Sequence, residues 1–169
     1  MRVHLVYDIA KELLYGTVGR EKFHLKAYSG GGRGKAEGYG PGENSLTSRL
    51  STTKEDEDGR IRGGPIPPGD YRCLYLAHHP PFKGPVIHLL PEANARAIHT
   101  VLASMPIPHG RGRFFIHGRG ELGSDGCIVP DIPTERMRLN KAIKTHNGTT
   151  LKVINASYML PAELGGITV

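Results

Sequence analysis

The sequence predicts a mostly β fold, a β-rich α+β domain with a small share of helix. The 169 residues include 23 glycines and 13 prolines, about a fifth of the chain, which is typical of a turn-rich β protein. Several segments also alternate apolar and polar residues with the two-residue period of a half-buried strand. The length is enough for one hydrophobic core, so we expect residues 1–169 to form a single domain.

Seven segments have the composition of strands. The clearest alternation is in residues 23–28, and the Pro- and Gly-rich residues 64–70 predict a rigid turn into another strand. The predicted strands are residues 2–8, 13–18, 23–28, 71–76, 86–90, 114–117 and 151–156.

Two helices and one long excursion complete the predicted organisation. Residues 92–105 carry apolar side chains at helical spacing, and a second helix begins at Pro133 and stops at Asn147-Gly148. Residues 29–64 have few apolar side chains and three consecutive glycines, so we expect a Gly-rich surface excursion beside a cleft. We hypothesise that this excursion closes on substrate.

Charge and hydropathy limit the partners and the compartment. The net charge of +6 suits an anionic partner, but it is diffuse and the aromatic residues do not interleave with Arg or Lys, so no nucleic-acid partner is predicted. No apolar run approaches the roughly 20 residues that span a bilayer, and no signal peptide is visible. We therefore expect a cytoplasmic protein in the producing cell, without membrane insertion and exported only by another route.

A cysteine and a histidine form the candidate catalytic pair. His117 ends the apolar run of residues 114–117, and Cys127 follows Gly126 at the start of a second apolar run. An imidazole that takes the proton of a thiol produces the thiolate needed to attack a carbonyl carbon. Gly126 allows a tight bend, so that the Gly126 and Cys127 amides could stabilise an oxyanion.

The second ring nitrogen of His117 needs a hydrogen-bond acceptor that selects the tautomer. The sequence offers the backbone carbonyl of Ser124 or Gly126, or the carboxylate of Asp125. Ser124 itself is interpreted as a brace of the loop or as a substrate contact. No cofactor is implied by this set of residues.

The order of these motifs resembles the catalytic domain of the L,D-transpeptidases of the YkuD type. Residues 117–118 (His-Gly) precede residues 124–127 (Ser-x-Gly-Cys), which are followed by an apolar residue. Upstream, residues 28–31 (Tyr-Ser-Gly-Gly) and the turn at residues 64–71 resemble the short branch found in type VI secretion effectors of the Tlde type. The resemblance runs in order over roughly residues 25–130.

The resemblance implies a β-sandwich or barrel with two short helices and activity on peptidoglycan tetrapeptide stems. Cys127 would attack the carbonyl of the third stem residue and expel D-alanine. Water as acceptor gives L,D-carboxypeptidase activity, whereas a D-amino acid as acceptor gives exchange or L,D-transpeptidation. An exported antibacterial toxin of this kind would act in the periplasm of a target cell and would have an immunity protein as partner.

The same resemblance suggests which residues contact substrate. The expected residues are Tyr28, Ser29, His88, Gly118 and Arg119. Tyr28 could instead cover the core, and His88 could be a hydrogen-bonded core histidine. Arg119, with Arg111 and Arg113, could hold stem-peptide carboxylates or be solvated loop charges.

Other interpretations of the two cysteines and the histidines remain open. Cys73 and Cys127 could form a disulfide, which would quench the nucleophile. A metal site could combine Cys127 and His117 with a further histidine, although no metal-binding spacing supports it. The candidates for that third ligand are His78, His79, His88 and His146.

The competing functional class is a catalytically silent module that binds the cell wall or a partner protein with the same fold. Two departures from the family pattern bear on substrate handling. Asp125 stands where many of these enzymes have a second histidine, and no arginine follows directly after Ile128-Val129. A buried His117/Cys127 pair would favour the silent module, and an open cleft would favour the enzyme.

Overall fold

The computed structural model describes residues 4–30, 54–55, 61–62, 65–79, 84–94, 114–118 and 126–155. These residues contain ten strands and one complete helix. The strands are β1 (Leu5–Asp8), β2 (Leu13–Val18), β3 (Glu21–Ser29), β4 (Lys54–Glu55), β5 (Ile61–Arg62), β6 (Gly69–Leu76), β7 (Val86–Pro91), β8 (Phe114–Ile116), β9 (Ile128–Pro130) and β10 (Thr149–Ile154). The helix α1 (Pro133–Thr145) lies between β9 and β10 in the chain.

Eight of the strands form a closed barrel in the order β1-β10-β6-β7-β8-β9-β3-β2. Neighbouring strands are antiparallel except for two parallel pairs, β1 with β10 and β8 with β9. Strands β4 and β5 form a separate two-stranded sheet. The prediction of a mostly β fold is confirmed, and the architecture is a barrel.

Apolar side chains from the barrel strands fill the barrel, and the alternation is clearest in β3. In β3, Phe23, Leu25 and Ala27 are buried, whereas the residues between them are exposed. The inward side chains of the other barrel strands join the same cluster, in which Tyr71 and Phe114 meet edge to face at 6.5 Å. Each fully buried large apolar side chain in such a cluster stabilises the fold by about 1.5–3 kcal/mol.

Helix α1 begins and ends at the residues that the sequence predicts. Pro133 occupies the first turn, where its missing N–H costs no hydrogen bond. At the other end, Asn147 (φ +55°) and Gly148 (φ +111°) adopt left-handed conformations and donate to the carbonyls of Lys144 and Ile143. This pair of hydrogen bonds is the Schellman motif, which terminates the helix.

One face of α1 packs onto the barrel core. Leu139, Ala142 and Ile143 are buried in the same apolar cluster as the inward strand residues. The following turn returns the chain to β10, which pairs with both β1 and β6. The helix therefore has a defined position relative to the strands that precede it.

Some predicted segments differ from the structure or lie outside the described residues. Residues 128–130 form β9, a strand that the sequence analysis leaves as an apolar run after Cys127. Most of the helix predicted over residues 92–105 lies outside the described residues, as does the excursion of residues 29–64 apart from its first residues and β4 and β5. Among the helices described, none has the length and apolar character needed to cross a membrane.

Candidate active site

The parallel pairing of β8 with β9 brings the two candidate catalytic residues together. Ile116 is paired with Ile128, and the backbone N–H of His117 donates to the carbonyl of Ile128 at 3.2 Å. His117 is the residue directly after one paired isoleucine, and Cys127 is the residue directly before the other. Because both isoleucines belong to the barrel core, His117 and Cys127 flank this pair at adjoining ends of β8 and β9, in the positions that follow and precede an inward-facing side chain.

The exposure of the two side chains suits a reactive site. Both His117 and Cys127 are partly buried, so the pair is neither enclosed in the core nor fully solvated. Both cysteines of the chain are thiols, which excludes the Cys73–Cys127 disulfide in this structure. Cys73 is fully buried in the barrel, and this burial raises the pKa of its thiol far above the ordinary value.

A neighbouring backbone carbonyl selects the tautomer of His117. The ring Nδ1 lies 2.5 Å from the carbonyl oxygen of Gly118, and since a carbonyl only accepts, Nδ1 carries the hydrogen. Nε2 of the neutral ring then has the lone pair that a general base requires. The acceptors considered from the sequence did not include this carbonyl.

The environment of His117 favours its neutral form. Burial lowers the pKa of the imidazole below its ordinary value of 6.5, and the hydrogen bond to Gly118 partly opposes this shift. The positive charge of Arg136 lowers the pKa further. The neutral imidazole is therefore the favoured form at pH 7, and the imidazolium considered from the sequence would form only after the ring has taken a proton.

Gly126 has the backbone conformation expected of a tight bend before Cys127. Its φ of +122° lies in the region that favours glycine over any residue with a side chain. The carbonyl of Gly126 accepts a hydrogen bond from Ser29 Oγ at 2.9 Å. The Gly126 carbonyl, one of the acceptors expected for His117, thus receives the hydroxyl of Ser29, and the ring Nδ1 of His117 contacts the Gly118 carbonyl.

Ser29 braces the loop that carries Cys127. Its side chain is fully buried, and Oγ also accepts a hydrogen bond from the backbone N–H of Ile66 at 2.9 Å. One hydroxyl thus joins the end of β3, the Pro-rich turn before β6 and the residue preceding Cys127. The substrate contact predicted for Ser29 does not agree with this geometry, because the buried hydroxyl is occupied on both sides.

Tyr28 and His88 lie on strands that neighbour the candidate pair. Tyr28 is paired with Val129 of β9 and is nearly buried, at 9% exposure. His88 is paired with Phe115 of β8, and their rings are stacked at 4.9 Å. The ring of Phe115 also contacts His79 at 4.7 Å, so two imidazoles cover this phenylalanine of β8, two residues before His117.

Arg136 is a residue of the candidate site that the sequence motifs did not indicate. It lies in the first turn of α1, and its guanidinium reaches back to Gly118, where an added Cβ would lie only 2.5 Å from Nη1. In the sequence, Arg136 is one of several basic residues on a predicted helix, and no local signal separates it from the others. Only the packing of α1 beside the end of β8 brings it to the site.

Several predicted site residues lie outside the described residues. These are Ser124, Asp125, Arg119, Arg111 and Arg113. Within the described part of the chain, no group of three or more His, Cys, Asp or Glu side chains could hold a metal ion.

A comparison with protein-family models finds no match, and no curated protein matches the chain at a significant level. A functional conclusion therefore depends on the chain's own residues and on their geometry.

Proposed function

We propose that this protein is a cysteine-dependent acyl-transfer enzyme that acts on peptidoglycan tetrapeptide stems as an L,D-carboxypeptidase, with L,D-transpeptidation or D-amino-acid exchange as the alternative outcome. The observation that carries this proposal is the pairing of Ile116 with Ile128. This pairing supports the proposal because the residue after Ile116 is a histidine with a selected tautomer and the residue before Ile128 is a partly exposed thiol. The order of the motifs and its resemblance to the L,D-transpeptidases supply the substrate class.

The first half-reaction forms an acyl-enzyme. Nε2 of His117 takes the thiol proton of Cys127, and Sγ attacks the carbonyl carbon of the third stem residue. The bond to the terminal D-amino acid breaks as its nitrogen takes the proton from His117. Backbone amides at Gly126 and Cys127 are the proposed oxyanion donors, and the loss of one such donor typically raises the barrier by about 3–4 kcal/mol.

The second half-reaction depends on the acceptor. His117 removes a proton from water, the resulting hydroxide attacks the thioester carbonyl, and the thiol leaves with the proton to give the tripeptide. If the amine of a D-amino acid attacks instead, the product is an exchanged tetrapeptide. The same chemistry in an exported type VI effector would damage a competitor's wall in its periplasm, and the producer would need an immunity protein.

The proposal is tested by incubating the protein with disaccharide tetrapeptide and following the products by mass spectrometry. We expect tripeptide and D-alanine, or an exchanged tetrapeptide when another D-amino acid is added, and a tripeptidyl adduct on Cys127. Cys127→Ala should abolish all of these products. Cys73→Ala is the matched control, because it removes the other thiol, and it should keep the activity.

An unchanged substrate combined with an unreactive Cys127 would overturn the proposal. In that case a pull-down on intact peptidoglycan would test the binding module, which retains the fold and needs no chemistry at Cys127.

A further inference from the structure

The guanidinium of Arg136 lies against the residue that follows the candidate base. A Cβ placed on Gly118 would lie 2.5 Å from Nη1 and 3.2 Å from Cζ of Arg136. The carbonyl of the same Gly118 receives the hydrogen bond from His117. A permanent cation is therefore held within one residue of the imidazole.

The charge of Arg136 is not neutralised by the described residues. Its neighbour Arg138 contacts the carboxylates of Glu135 and Glu21 at 3.0 and 3.4 Å and lies over the ring of Phe23. Arg136 lies on the same helix and is also partly buried, but no ion pair between described residues includes it. A partly desolvated guanidinium beside a group that must also become cationic is stabilised when an anion binds there.

The chemistry of the proposed substrate supplies such an anion. The leaving D-amino acid carries its amine and its carboxylate on the same carbon atom. The amine must face His117 to receive a proton, and the carboxylate carbon then lies two bonds beyond the amine nitrogen. A guanidinium binds a carboxylate through two parallel hydrogen bonds, and that of Arg136 lies against Gly118, the residue next to His117.

We propose that Arg136 binds the terminal carboxylate of the residue that the enzyme removes, and thereby restricts cleavage to the last residue of the stem. This assignment rests on the proposed function for the identity of the substrate, but the anion site itself does not require it. In a stem extended by one residue, an amide would lie at the position where Arg136 otherwise binds the carboxylate. An occupied site would also neutralise the cation next to His117 when the imidazole takes the thiol proton.

The anion site is tested without the peptidase assay by alkylating Cys127 with iodoacetate and with iodoacetamide. The two reagents differ mainly in one carboxylate, so the ratio of their rates measures anion recognition near the thiol. We expect Arg136→Gln to lower the ratio of iodoacetate to iodoacetamide rates by roughly ten-fold, as the loss of one hydrogen bond between charged groups predicts. Arg136→Lys should keep part of the effect, and Arg138→Gln, on the same helix, should leave the ratio unchanged.

The substrate arm compares the tetrapeptide with its C-terminal amide. Wild-type enzyme should prefer the acid through a lower KM, and Arg136→Gln should process the two at similar rates. An unchanged alkylation ratio in folded Arg136→Gln would overturn the inference, as would an undiminished preference for the acid. If the ratio falls but no tetrapeptide is ever cleaved, the anion site stands and the stem-peptide function fails.

Discussion

The imidazole of His117 donates its Nδ1 hydrogen to the carbonyl oxygen of Gly118, the next residue in the chain, over 2.5 Å. The imidazole is thus oriented by the adjacent backbone, and no carboxylate is required to select the tautomer. Because the guanidinium of Arg136 occupies the space beside Gly118, the conformation of that residue is coupled to helix α1. The orientation of the His117 ring and the position of the Arg136 guanidinium therefore both depend on Gly118.

Replacement of His117 should remove the base without unfolding the barrel. We expect His117→Gln to lower kcat/KM by 10²- to 10⁴-fold, the usual contribution of general acid–base catalysis, and to slow alkylation of Cys127. His24→Gln is a suitable control, because His24 is an exposed residue of β3. Equal activity in both variants would contradict the assignment of His117 as the base.

Activity should fall on the acid side as His117 becomes protonated. Since burial and Arg136 lower the pKa of His117, the acid limb should lie below 6.5, and Arg136→Gln should move it to higher pH. The folded state also binds this proton less readily than the unfolded chain. The contribution of His117 to the free energy of unfolding is therefore complete above pH 6.5. It decreases as the pH falls towards the pKa of His117 in the folded protein.

These shifts can be measured from the pH dependence of kcat/KM and from the imidazole NMR signal that disappears in His117→Gln. A signal of His117 that titrates above 6.5 in the wild-type protein would show that the ring is stabilised as a cation, contrary to this expectation.

Removal of the Ser29 hydroxyl should loosen the loop that carries Cys127. Ser29→Ala leaves the Ile66 N–H and the Gly126 carbonyl without their hydroxyl partner, which should lower the free energy of unfolding by about 1–3 kcal/mol. Denaturant unfolding measures this loss, and the alkylation rate of Cys127 reports the loop. Thr134→Ala removes an exposed hydroxyl from α1 and should change neither quantity. Unaltered stability in Ser29→Ala would exclude the brace.

A side chain at Gly126 should strain the bend before the nucleophile. At φ +122° an alanine is expected to cost about 1–3 kcal/mol of stability and to displace the Cys127 amide. Gly84→Ala provides the comparison, because nothing lies within 4 Å of a Cβ at that position. Thermal unfolding and turnover of both variants check the difference, and a fully active, equally stable Gly126→Ala would show that the bend tolerates a side chain.

The local features of the fold could be predicted because their signals are local. The alternation in β3 and the Pro133 and Asn147-Gly148 signals of α1 depend on residues a few positions apart, and the structure has these elements where they were expected. Strand β9 was not predicted, because three apolar residues have too little periodicity to indicate a strand. Its strand character follows from its pairing with β3, which is distant in the sequence, and with β8.

The sequence by itself determined the kinds of residue available for chemistry: one thiol behind a glycine, one histidine at the end of a strand, and a β-rich chain to carry them. Only the tertiary structure decided which groups serve that pair. The Gly118 carbonyl orients His117, and the Ser29 hydroxyl donates a hydrogen bond to the Gly126 carbonyl. The guanidinium of Arg136, on α1, lies against Gly118. These roles depend on barrel closure and helix packing, which join segments that no short-range pattern connects.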